Sequence, residues 1–287
     1  KLKKKYPKKI LTSNENIIFK DKEVNLVSIA SYDDDHFRQI LKAIKNKMHI
    51  IVEKPMCLSL KELKKIKFFI KKSKTNITSN LVLRENDLFK SIKKKIDVNK
   101  IYYIEADYIW GRPHKLFGWR SKIKRYSLIL GASIHMIDLI MWFLEDKPKF
   151  VTTFGSDRFT KNTPFKKKNC VTLILEFKNN LMVKINTNSL GAHPHFHELK
   201  IFQKNKTFIH NLLGSYELNK KKLKKIKKSY PDKKNRKNLI KNFIKNLTQN
   251  NLKKKLMSLK EQFNLMSVCL AAEKSLRNNK KIRIDYF

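Results

Sequence analysis

Residues 24–55 read VNLVSIASYDDDHFRQILKAIKNKMHIIVEKP, and the fold turns on this stretch. Residues 24–31 are an apolar run of the kind that forms buried parallel strands. The polar stretch 33–47 is compatible with a helix. Residues 49–52, HIIV, form a second apolar run that ends in Glu53-Lys54-Pro55. Strand, helix and strand joined by a crossover of this length describe a βαβ unit with parallel strands. Further out, residues 60–73 place Leu60, Leu63, Ile66, Phe69 and Ile70 on one helical face. Residues 75–83 read as another strand. The chain therefore opens inside a doubly wound α/β domain.

Such a domain ordinarily begins with a strand and a glycine-rich turn that receives a pyrophosphate. No GxGxxG occurs anywhere in the 287 residues, and residue 1 is Lys. The acidic residue that would take the ribose hydroxyls after the next strand is also absent. The expectation is a fragment or truncated reading that lacks the first βαβ portion.

Composition narrows the class. A chain of this length can bury one large domain or two ordinary ones. Three cysteines, Cys57, Cys170 and Cys269, form no CxxC pair, so neither a disulfide framework nor a zinc ribbon is expected. No apolar run is long enough to span a bilayer, and the start, KLKKKYPKKI, has no signal-peptide core. A reducing cytoplasm is the expected setting, with no membrane partner. Lys plus Arg number 66 against 24 acids, giving +42, yet only 9 of the 66 are Arg, leaving 57 Lys. Lys, Asn, Ile and Phe are all served by AT-rich codons. A dedicated nucleic-acid reader would more often use Arg, whose planar fork suits phosphates and base edges. The charge is therefore read as biased composition on a solvated surface that still attracts anionic ligands, with no specific nucleic-acid partner. The densest basic run, residues 220–228, belongs to a polar loop or solvated helix face.

Chemistry concentrates in two places. At the carboxyl ends of the first strands lie Ala30, Ser31, His36, Glu53 and Lys54, where open α/β sheets bind ligands. A Lys at such a rim is partly desolvated, and a lowered pKa suits it to proton transfer. Pro55 restricts Lys54 to extended backbone. The second place is residues 131–138, GASIHMID, which run into LIMWFL. His135, Asp138 and Trp142 share one face of that helix. His135 reads either as a core histidine satisfied by Asp138 or as a general acid/base oriented by it.

Beyond residue 150, short apolar or alternating segments at 151–155, 171–177, 181–188, 198–202 and 207–210 predict an antiparallel sheet, with Asn179-Asn180 as a hairpin turn. The fold class is thus α/β joined to α+β. Within it lie His193, His195 and His197, which would share one face of an extended strand. No Cys and no carboxylate except Glu198 completes a shell, so no metal is expected. Contact with substrate, sheet surface and contact between copies remain as readings. Asn186 and Asn188 are placed to meet sugar hydroxyls. Residues 219–238 read as a polar loop, residues 239–278 as two helices, and KIRIDY as a closing strand.

These segments in order, VNLVSIASYDDDHF, HIIVEKP, NLVLREN, GWRSK and GASIHMIDLIMWF followed by a β-rich region, resemble the Gfo/Idh/MocA oxidoreductases. The resemblance implies an incomplete Rossmann domain over residues 1–98 that binds NAD or NADP. It also implies a substrate domain over 99–287 whose open, mainly antiparallel sheet often joins copies into a homo-oligomer, with the C-terminal helix packing back on the first domain. By position it assigns Lys54 to the substrate hydroxyl and nicotinamide ribose, His135 to acid/base work, and Asp138 to the acidic residue one turn later. Ala30, Ser31, His36 and Glu53 match cofactor-lining positions. Arg84, Trp119 and Arg120 match cofactor or substrate positions. Asn188, His193 and His195 fall on the substrate side. Many relatives carry Asp four residues before the histidine, where this chain has Gly131. The activity implied is oxidation of a secondary hydroxyl of a sugar, nucleotide sugar or cyclitol, with surface-polysaccharide synthesis as a setting. The rivals are a non-catalytic sugar- or nucleotide-binding remnant and a basic nucleic-acid-binding protein.

Overall fold

The structure is a computed structural model that describes residues 2–220, 222–232, 234–249 and 257–286. Short helices α1 (Leu2–Lys5) and α2 (Glu15–Phe19) precede β1 (Leu26–Ile29). Then come α3 (His36–Lys45), β2 (His49–Val52), α4 (Leu60–Lys71) and β3 (Ile77–Ser79). The three strands are parallel in the order β1-β2-β3, with Ile29 opposite Val52 and Val52 opposite Ser79. Ile50 and Val52 are fully buried, as expected for a sheet covered on its faces. Ser59 caps α4 by accepting from the Glu62 amide at 3.3 Å, while the Leu58 amide donates to the Glu62 carboxylate at 2.8 Å. Leu63, Ile66 and Ile70 of α4 turn inward, but Leu60 and Phe69 are exposed, so the apolar face is narrower than predicted. The predicted strand 75–83 is only three residues long. A 3-10 turn, Val82–Glu85, takes over its second half.

After α5 (Asp87–Lys93) comes the 3-10 turn Val98–Lys100. It leads into β4 (Ile101–Ile109), which the sequence pattern does not predict. Its inward residues Ile104, Ala106 and Tyr108 are diluted by Tyr102 and Tyr103, where the register slips. The chain continues through α6 (Trp119–Lys122), a π turn (Ile129–Ser133) and α7 (Ile134–Leu144). Next are β5 (Phe150–Ser156), β6 (Cys170–Glu176), β7 (Met182–Asn188), β8 (Phe196–Gln203), β9 (Lys206–Asn211), β10 (Gly214–Asn219) and β11 (Lys222–Lys225). The closing elements are α8 (Asn235–Thr248), α9 (Leu259–Asn278) and β12 (Ile282–Arg283). The nine-stranded sheet runs β11-β10-β9-β8-β4-β7-β6-β5-β12. β4 lies near its centre, parallel to β7 and antiparallel to β8, so the expected antiparallel sheet contains one parallel pair.

Asn179 and Asn180 both adopt positive φ in the β6–β7 hairpin, which asparagine tolerates. Within residues 219–238, predicted as a loop, β11 adds an edge strand and α8 begins at Asn235. All four β11 residues are exposed, and backbone pairing needs nothing from its side chains. Lysines on such an edge discourage a further strand from pairing. Lys221 and Lys233 of that stretch lie outside the described residues, as do residues 250–256 of the predicted helical region.

α7 is apolar nearly all round and buried accordingly. α9 clasps both sheets. The Gln262 side chain accepts from the Ser79 amide and donates to the Ile77 carbonyl, each at 2.9 Å, along the free edge of β3. Farther along, the Ser275 hydroxyl accepts from the Thr153 amide of β5 at 2.9 Å. A buried donor or acceptor left without its partner costs roughly 1–3 kcal/mol. Replacing Gln262 with Leu strands two backbone groups at once. Urea unfolding of Gln262→Leu should therefore lose about 2 kcal/mol or more, and an unmoved midpoint would show that α9 is not held by this residue.

Candidate active site

A cavity of about 450 Å³ opens where the carboxyl ends of β1 and β2 face the inner side of the nine-stranded sheet and the first turn of α7. Two residues beyond β2, Lys54 lines it and donates to the Gly131 carbonyl of the π turn at 2.6 Å. The Lys54-Pro55 bond is cis. Burial pulls the Lys54 pKa down, and the carboxylates of Asp33 and Glu53 push back against that.

His135, in the first turn of α7, lines the same cavity. Its ring stacks on Tyr108 of β4 with centroids 5.8 Å apart, and its Nδ1 is buried without a hydrogen-bond partner. Burial holds its pKa well below the usual histidine value, and the Lys54 cation reinforces this. The imidazole is neutral at neutral pH, with a ring nitrogen free to accept a proton.

Ala30, Ser31, Glu53, Trp119, Arg120 and His195 also line the cavity, so eight of the residues singled out by the sequence converge here. Trp119 stacks on Tyr32 at 5.0 Å, and the Arg120 guanidinium lies 4.1 Å over the Trp119 ring. The His195 ring nitrogen faces the Trp110 carbonyl at 2.9 Å.

Five predicted residues lie elsewhere, each for a visible reason. Asp138 does not orient His135. It is 1% exposed and accepts three hydrogen bonds from Arg84, at 2.7–3.1 Å, and Arg84 also pairs with Glu261 of α9 at 2.7 Å. Sharing a helical face puts the two side chains side by side, and the nearer cation captures the carboxylate. Arg84 is thereby turned away from the cavity. His36 is fully buried behind the rim, its ring nitrogens facing the carbonyls of Pro55 at 2.7 Å and Ser31 at 3.3 Å, so it braces the cavity wall rather than lining it. Asn188 is excluded by strand alternation. Thr187 faces inward to share a hydrogen bond with Ser133 at 2.7 Å, which sends Asn186 and Asn188 to the opposite face. His193 precedes β8 in an irregular segment, so its ring meets the Pro194 carbonyl and not the face shared by His195 and His197.

Residues that the sequence reading did not select complete the wall: Asp33, Asn80, Tyr108, Trp110, Arg112, Lys115, His197 and Arg236. His197, fully buried by the pairing of β8 with β4 and hydrogen-bonded to the Tyr230 hydroxyl, was within the histidine cluster. Asp33 was hidden in a run of three aspartates. Its carboxyl is 6% exposed, one oxygen lacks a partner, and burial raises its pKa against the pull of Lys54. The others sit on or just after β4, in the loop after β3, or at the start of α8, brought in by tertiary packing, and no spacing in the sequence marks them.

Residues 5–80 match the model of an oxidoreductase family with an NAD-binding Rossmann fold, and residues 90–209 match the GFO/IDH/MocA C-terminal domain. The chain belongs to the GFO/IDH/MocA oxidoreductase family. Among curated proteins it is 26% identical to YteT of Bacillus subtilis (strain 168) over 147 residues, a match covering 46% of this chain and 32% of that relative. Its fold resembles myo-inositol 2-dehydrogenase from Lactobacillus plantarum, with a TM-score of 0.80 and 16% identity over 96% of this chain and 84% of that one. It also resembles levoglucosan dehydrogenase in complex with NADH and levoglucosan, with a TM-score of 0.84 and 14% identity over 99% and 86% of the two chains. At these identities the solved structures show a shared fold.

An NAD-binding Rossmann domain implies a dinucleotide, and the residues here fit its nicotinamide-ribose end. Ser31, Glu53 and Asn80 line the cavity at the carboxyl ends of the three parallel strands, and buried oxygens of Asp33 and Asn80 lack partners. No glycine-rich turn in this sequence provides a pyrophosphate cradle.

The position of Gly131 is explained by Tyr126. A Cβ at residue 131 would fall on the Tyr126 hydroxyl, with the ring carbon bearing it only 2.6 Å away. Gly131→Ala should cost roughly 1–3 kcal/mol by overpacking. In a Tyr126→Ala background the same change should cost little, as a double-mutant cycle by chemical unfolding will read; equal costs in both backgrounds would dismiss the clash.

The histidines also predict a pH dependence. Burial pulls His210 down to about 4, and holds His135 and His197 well below 6.5. Each is protonated more readily in the unfolded chain, so their contribution is complete above pH ~6.5 and is lost as pH falls toward the folded values. Thermal melting points should drop between pH of about 6.5 and about 4, and His210→Asn should flatten that slope. A variant slope as steep as the parent's would contradict the assignment.

Proposed function

We propose that this chain is an NAD(P)-dependent dehydrogenase acting on a secondary hydroxyl of a sugar, nucleotide sugar or cyclitol. One observation carries the reading: Lys54 and the neutral His135 face one cavity at the carboxyl ends of parallel strands. A nicotinamide held against Ser31, Glu53 and Asn80 would supply the hydride acceptor for the carbinol carbon. Lys54 holds the substrate oxygen with an N–H that remains after its bond to Gly131. His135 takes the hydroxyl proton at its ring nitrogen, and the adjacent Lys54 charge keeps that nitrogen unprotonated beforehand. Tyr108, stacked on the imidazole, excludes water and sets the plane of the ring.

The finer parts of the reading are the setting and the assembly. All three cysteines are free thiols, which suits a reducing cytoplasm, and no described helix is long and apolar enough to cross a membrane. Surface-polysaccharide synthesis is the pathway setting we favour. The outer face of the nine-stranded sheet, with Phe154 63% exposed, is where we place contact between copies. A second reading, a sugar-binding protein without turnover, is favoured by Gly131, which places no side chain at the position four residues before His135.

Reduction of NAD and NADP against a panel of neutral and acidic sugars and cyclitols tests the first reading. Lys54→Met and His135→Asn should each lower kcat by about 100-fold or more, with circular dichroism unchanged. Normal turnover in Lys54→Met would end its catalytic role. Calorimetric binding of sugar with no turnover under any cofactor would favour the second reading.

A further inference from the structure

Arginine is scarce in this chain, 9 of the 66 basic residues. Five cations line the active-site cavity: Arg112, Arg120, Arg236, Lys54 and Lys115. Three of these five cations have work within the wall. Lys54 binds Gly131 at 2.6 Å, Arg236 pairs with Glu53 at 3.3 Å, and Arg120 lies over Trp119. Arg112 and Lys115 have no ion-pair partner among the described residues. Arg112 precedes the 3-10 turn Pro113–Lys115 that follows β4 and Lys115 ends it, and Arg120 donates to the Lys115 carbonyl at 3.3 Å, tying that turn to the cavity wall. Both cations act on His195, and Arg112 acts also on His197 and Tyr108, so they stand on the nine-stranded-sheet side of the cavity. Ala30, Ser31 and Glu53 line it from the carboxyl ends of β1 and β2.

We propose that the substrate bears an oxyanion group, a carboxylate or a phosphate, and that Arg112 with Lys115 receives it at the cavity mouth. The inference rests on the dehydrogenase reading only for the word substrate; the anion site itself stands on the geometry. Two parallel N–H groups of a guanidinium match two oxygens of either group, and Lys115 adds a point charge beside them. The cation pair also explains how a cavity already rich in positive charge avoids self-repulsion at work, since the bound anion neutralises it.

The test is calorimetric binding to the full chain of D-glucuronate, D-glucose 6-phosphate and neutral D-glucose, each with and without NADH. One of the two anions should bind about tenfold tighter than glucose, and which one does so tells a carboxylate source from a phosphate source. Arg112→Gln/Lys115→Gln should abolish that preference while leaving NADH affinity unchanged, and Arg112→Lys should restore only part of it. Lys222→Gln/Lys224→Gln on the exposed edge strand β11 removes the same net charge and should leave the preference intact. Glucose binding as tightly as both anions, binding of neither anion, a preference that survives the cavity variant or is lost in the edge-strand variant, or a loss of NADH affinity instead would each overturn the proposal. Tight anion binding without turnover would overturn the dehydrogenase reading and leave the anion site standing.

Discussion

Lys54 leaves the end of β2 and reaches the carbonyl of Gly131, 77 residues further along the chain, at 2.6 Å. A desolvated ammonium needs acceptors, and this one finds the Gly131 carbonyl within the π turn. The contact fixes the distance between the parallel sheet and the helix that carries His135. Neither element needs the other to form its own backbone bonds. The cavity exists because the lysine and the π turn meet there, and its chemistry follows from what that meeting buries.

The π turn is itself held from three sides. Tyr126 fills the space beside Gly131, Ser133 shares a hydrogen bond with Thr187 on β7, and the Ser127 hydroxyl donates to Glu273 of α9. One turn further on, Asp138 binds Arg84, and Arg84 binds Glu261. This chain of charges, buried at Asp138 and Arg84, joins the turn after β3, the helix α7 and the helix α9. Its role is to fix how α7 lies, which in turn aims His135. A carboxylate near a histidine in sequence can therefore serve that histidine without touching it.

What could be read from the sequence follows from how local each feature is. The run HIIV ending in Glu53-Lys54-Pro55 marks a buried strand and its rim by composition alone, and β2 has the predicted bounds. The helix at residues 134–144 is written in its apolar residues. β4 was not legible because a register slip and paired tyrosines break its alternation, although it is near the centre of the large sheet. Losing β4 from view also hid Tyr108, Trp110 and Arg112, which it delivers to the cavity. Asn188 and His193 were misplaced because a face cannot be assigned until some residue is known to point inward, and Thr187 decides that for β7. Asp33 and Asn80 come from two loops and Arg236 from the first turn of α8, far apart in the chain, and they carry no spacing signal.

The electrostatics of the site follow from the same packing. His135 and His197 are kept neutral first by burial, with neighbouring cations and histidines reinforcing it. Of the acids that could oppose this, Glu53 pairs with Arg236, and burial works against the charge of Asp33. A neutral imidazole in a positive surround has a free nitrogen but is a weak base, so a proton it takes from the substrate is readily passed on. The same surround lowers the energy of negative charge appearing on the substrate oxygen as its proton leaves. In a chain of +42, the surface charge alone would be screened by salt. Partly buried wall charges such as Lys54 and Arg120 are screened less, so they act on the chemistry more strongly than the lysines outside.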